Sequence, residues 1–170
     1  MVYRAPASLL VLLPLVVFAA LLLGPRVARA LGAGRATGVL LVLSAGLILA
    51  ITLVPMDHPG FAPDQGLACL VPDLGVLTSG TLLRFSDDFL NVALFVPLGI
   101  AIAFVPSRRR LPVLAVAALL PWAIEVTQMV LPALNRSCQA EDLTTNLLGL
   151  VVGLGLGLAV RELASLRAAG

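Results

Sequence analysis

Seven residues in the second half of the chain carry the chemistry worth explaining: Asp88, Asn91, Glu125, Gln128, Arg136, Asp142 and Asn146. Asp88 and Asn91 recur at helical spacing with Phe95. Glu125 and Gln128 lie one turn apart, as do Asp142 and Asn146, so each pair shares a helix face. Carboxylates and amides around one guanidinium can bind a polar group, because charge pairing and hydrogen bonds offset desolvation. A carboxylate so placed can also act as a general acid or base.

The elements that position them belong to a membrane. Hydrophobic residues make up 60% of the 170-residue chain and charged residues only 12%, with a mean hydropathy of +1.08. So few charges cannot cover a water-exposed surface, and a net charge of +2 offers no basic field for nucleic acid. Apolar runs at about 5–25, 36–56, 88–106, 111–131 and 142–160 approach or exceed the roughly 20 residues of a spanning helix, and none alternates as a barrel strand would. The expected fold is therefore all-α: one polytopic domain over 1–170 with five transmembrane helices. No internal repeat or separate soluble domain is visible.

The arginines orient it. Arg26, Arg29, Arg35, Arg108, Arg109, Arg110, Arg161 and Arg167 fall on one side, against Arg4, Arg84 and Arg136 on the other. The positive-inside tendency puts the N-terminus outside and the C-terminus in the cytoplasm. The triplet Ala28-Arg29-Ala30 imitates a signal-peptide cleavage site, but the arginine distribution and the length of the first apolar run favour a retained span. Seven acids then fall outside or at the outer interface: Asp57, Asp64, Asp73, Asp87, Asp88, Glu141 and Asp142. The connection from Asp57 to Asp87, dense in Pro and Gly, reads as an irregular outer loop. Cys69 in that loop and Cys138 in the next outer loop lie where a disulfide persists, so a bridge between them is expected. No metal or other cofactor is expected: His58 is the only histidine and no paired-cysteine spacing occurs.

Depth ties the seven residues together. At a rise of about 1.5 Å per residue, Asn91 and Asn146 sit on the order of 5 Å below the outer helix ends, and Glu125 roughly 10 Å below. Helix capping competes as an explanation for Ser86, Asp87, Asp88 and Asp142, and interhelical glue for Asn91 and Asn146. No cap explains a mid-span carboxylate such as Glu125. Phe95 and Trp122 read as core or lipid-facing. Gly149, Gly153 and Gly157 form a small-residue stripe that lets another helix approach closely, and a homodimer is one use for it.

Asp88-x-x-Asn91 followed by Phe95-Val-Pro97-Leu-Gly99, Ile124-Glu125-x-x-Gln128, and Arg136 with Asp142, then Asn146-x-x-Gly149 and Gly153, resembles the VanZ-like membrane proteins. The resemblance runs over 84–157, with no diagnostic motif in the first two spans. One departure stands out: Gln139 occupies a position, three residues after the arginine, where family members often carry an acid. The resemblance implies a multi-pass protein of the bacterial plasma membrane. The family's namesake is associated with low-level resistance to teicoplanin, a glycopeptide that binds cell-wall precursors outside the membrane.

Three functions follow. The first is non-enzymatic: an outward polar site that binds the head group of an amphiphile, either a glycopeptide antibiotic or a lipid-linked cell-wall precursor, among membrane lipids. The second is an intramembrane enzyme acting on a lipid-linked substrate, with Glu125 as general acid or base and Arg136 holding an anionic group. It is less favoured, since no nucleophile motif, metal ligand set or phosphate-cradling glycine loop is present. The third, transport, is disfavoured by five spans without an inverted repeat.

Overall fold

The computed structural model describes residues 7–55, 66–80, 82, 84 and 86–169. Arg4, Asp57, His58 and Asp64 therefore lie outside the described residues. Five α-helices follow in order: α1 (Ala7–Leu31), α2 (Arg35–Thr52), α3 (Asp87–Ala103), α4 (Ser107–Val130) and α5 (Ala140–Ala169). No strand occurs among the described residues. Four of the helices are long and apolar enough to cross a membrane. The fifth, α3, has 17 residues and covers roughly 26 Å, a little under a bilayer core.

Helix limits differ from the apolar runs because a helix does not stop where a charge begins. The first run ends at Pro25, yet α1 continues through Arg26 and Arg29 to Leu31. It stops at Gly32, whose φ of 66° provides the left-handed turn into α2. Similarly, α5 runs well past 160, carrying Arg161 and Glu162 in regular helix. Pro97 does not break α3, which is continuous to Ala103.

Two helix pairs organise the bundle, α3 with α5 and α1 with α2, and α2 joins them by packing on α3. Glycine sets both close approaches. A Cβ at Gly149 would strike the Val92 carbonyl, one at Gly153 the Val96 backbone, and one at Gly157 the Ala103 side chain. From the other side, a Cβ at Gly99 would strike the α5 backbone at Leu150 and Leu154. The glycine stripe is thus consumed within the chain by α3, which corrects the reading of it as a surface for a second copy. Gly24 and Gly38 do the same for α1 and α2. Ile48, Phe95, Ile102, Ile124 and Leu150 fill the space between helices, each no more than 1% exposed. Phe95 is accordingly core.

Candidate functional site at the disulfide end of the bundle

The site begins with the loose carbonyls that end α2. A helix leaves its last carbonyl groups without intrahelical partners. Here the side chains of α4 and of the loop beyond it supply the missing donors. Gln128 Nε2 donates to the Thr52 carbonyl at 2.9 Å. Arg136 donates through Nε to the Val54 carbonyl at 2.9 Å and through a terminal nitrogen to the Ile51 carbonyl at 2.7 Å. A cation at a helix C-terminus also meets the negative end of its dipole. These bonds make α2 the fourth wall of a site that the side chains alone assign to α3, α4 and α5.

Across the cluster, Asn91 on α3 donates from Nδ2 to Asp142 Oδ1 on α5 at 2.7 Å. Ser86 caps α3, its Oγ accepting from the Phe89 amide, so Asp88 is not needed for that bond. Asp88, half-buried, instead acts with Asp87 and Glu141 on Asp142 through their charges. Glu125 is 1% exposed, and its Oε2 accepts the backbone N–H of Gln139 at 2.9 Å. Both Asp142 and Arg136 lie within electrostatic reach of it. The residue at the departure noted above is therefore part of the site through its amide. Its side chain turns to Ser137 Oγ at 3.2 Å.

Two buried acceptors complete the picture. Among the described residues Gln128 Oε1 and Asn146 Oδ1 have no hydrogen-bond partner, and their residues are 5% and 2% exposed. Buried polar atoms are nearly always paired, so each of these two orphans calls for a donor. All seven residues singled out in the sequence meet at this end. With Arg136 bonded to carbonyls, the remainder is rich in acceptors and acids.

The loop between α2 and α3 is fastened over these helices at four points. Cys69 and Cys138 form a disulfide with a Cα–Cα distance of 5.6 Å. Trp122 Nε1 donates to the Leu70 carbonyl at 3.2 Å, so this ring is a loop anchor as well as a packing group. Thr144 Oγ1 donates to the Asp73 carbonyl at 2.8 Å, and the Asp73 amide donates to the Ala140 carbonyl at 3.2 Å. Among its described residues the loop, expected to be irregular, contains short 3-10 helices at Gly66–Leu70 and Leu74–Thr78.

Trp122, Gln139 and Thr144 were not among the sequence candidates for the site. Each acts on or through a backbone group, which residue types do not reveal. The disulfide closes a segment with a sequence separation of 69 residues, which on a chain-entropy scale stabilises by about 4 kcal/mol. Reduction, or Cys138→Ser, is expected to lower the melting temperature in detergent. Limited proteolysis should then cut first within 66–80.

The VanZ/LLP1 family model matches residues 39–161. The chain belongs to the VanZ/LLP1 family. The match takes in α3 and α4 and most of α2 and α5, and so extends beyond the 84–157 segment in which the diagnostic side chains occur. The part of α2 that enters the site does so by carbonyl groups, and this VanZ/LLP1 protein holds them with Gln128 and Arg136. Comparisons with curated proteins and with solved structures return no match. The chain is an all-helical membrane protein of this family.

Proposed function

We propose that this VanZ-like protein sits in the bacterial plasma membrane and binds, without catalysis, the polar head of an amphiphile at its disulfide end. A glycopeptide antibiotic or a lipid-linked cell-wall precursor would have its head in the cluster and its tail among the outer-leaflet lipids. The observation that carries the reading is the pair of unpartnered buried acceptors, Gln128 Oε1 and Asn146 Oδ1, beside Glu125 and Asp142. Acceptors in that setting suit amide, hydroxyl or ammonium donors, which a glycosylated peptide presents in number. Teicoplanin also has an acyl tail, so a site at the hydrocarbon boundary matches both of its parts.

Orientation follows from the charges. Arg26, Arg29, Arg35 and Arg108 to Arg110 flank the α1–α2 and α3–α4 turns, and Arg161 and Arg167 lie near the end of α5. Arg161 donates to the Ala103 carbonyl at the end of α3, which brings α5's basic segment to the same rim. Arginine density supports a cytoplasmic rim, an outward disulfide end and an N-terminus outside.

The experiment is teicoplanin susceptibility in a host lacking the protein, complemented with wild type or Glu125→Gln at matched membrane abundance. Wild type is expected to protect and Glu125→Gln to lose most of that protection. If neither protects although both insert with the disulfide formed, the antibiotic reading falls. Equal protection by both would remove the buried carboxylate from the site.

A further inference from the structure

We infer a second binding site, at the opposite end of the bundle, for an anionic diacyl phospholipid of the arginine-side leaflet. Between the α1–α2 pair and α4 lies a groove of about 580 Å³, lined by Val27, Ala45, Leu98, Val113 and Leu120 among others, with Arg109 as its charged residue. It exists because α4 packs chiefly on α3 and α5 and meets α2 at the far end, through Gln128 and Thr52. Its α4 wall runs from Arg109 to Leu120, a rise of roughly 16 Å. That is about half the hydrocarbon thickness, the reach of acyl chains from one leaflet.

The rim commits the occupant's charge. Arg108 reaches toward the α1–α2 turn, its guanidinium 4.0 Å from where a Cβ on Gly32 would stand. Arg35 opens α2 beside the same turn. Among the described residues, neither Arg108 nor Arg109 has a side-chain hydrogen bond to the protein, whereas Arg110 is engaged with the Val105 carbonyl. Glu162 is the one described acid near this end, and it belongs to α5. Free guanidinium groups above an apolar slot one leaflet deep complement a phosphate head on acyl chains. This site shares no residue with the outward cluster and does not depend on its ligand.

The full-length protein in detergent would be mixed with equal amounts of phosphatidylglycerol and phosphatidylcholine of matched chains and examined by native mass spectrometry. Wild type is expected to retain the anionic lipid about tenfold over the neutral one. Arg108→Gln with Arg109→Gln should bring the two to parity, while Arg167→Gln leaves the preference intact. Val113→Trp, which fills the slot with the charges kept, should reduce retention of both lipids. Disulfide formation and the melting temperature report folding of every variant. Equal retention of the two lipids by wild type would overturn the site as a lipid sheath only. An effect of Arg167→Gln as large as that of the pair would overturn it as diffuse charge attraction. A dimer lost on Val113→Trp, with no lipid retained by wild type, would give the groove to a second copy.

Discussion

Gly153→Leu is expected to cut the amount of folded, membrane-integrated protein by about tenfold or more. The Cβ alone would lie against the Val96 carbonyl and within 2.9 Å of its Cα, and backbone cannot rotate out of the way as a side chain can. Inserting bulk into a well-packed contact costs typically about 1–3 kcal/mol, and more where only backbone can yield. Here α3 and α5 would have to separate along their length, which pulls Asn91 away from Asp142. Gly155, two residues on, is the control. It faces open space, so Gly155→Leu should leave abundance and melting temperature close to wild type. The oxidised fraction of the Cys69–Cys138 pair, read on non-reducing gels, follows the same loss. Equal tolerance of both substitutions would show that α3 does not occupy the stripe.

Arg136→Ala should destabilise the protein by about 3 kcal/mol or more, from two charge-assisted bonds at about 1.5–3 kcal/mol each. The loss also leaves the Ile51 and Val54 carbonyls to find other donors at the close of α2. Lysine offers a compact ammonium in place of a planar fork, so Arg136→Lys should recover part of the stability and not all of it. Thermal melting in detergent measures both. If Arg136→Ala melted like wild type and lost only its protection against antibiotic, the guanidinium would be an arm for the ligand. The geometry makes it a strut between the α4–α5 loop and α2.

Much of this was legible beforehand. Helical spacing placed Asn91 and Asn146 at similar depth, and Asp142, one turn from Asn146, is the residue that Asn91 bonds. Compartment and count paired Cys69 with Cys138. The misplacements share a cause. A stripe of Gly149, Gly153 and Gly157 states that something comes close, without stating what, and α3 of the same chain is what comes. Arg136 was expected among carboxylates and does lie within electrostatic reach of Glu125 and Asp142, but its bonds to the carbonyls at the end of α2 could not be read, because a carbonyl has no letter in a sequence. For the same reason α2 carried no motif. Gln139 looked like a lost acid, yet the amide that reaches Glu125 is present in any residue but proline.

The bridge between Cys69 and Cys138 encloses two of the helices, α3 and α4, and that number is even. With both helices crossing the membrane, the chain returns to the side from which it left and both sulfurs emerge in one compartment. Omission of either one would strand the thiols on opposite faces, beyond each other's reach. The covalent link thus works as a parity check on the topology of the chain, sealing those molecules in which the count came out right.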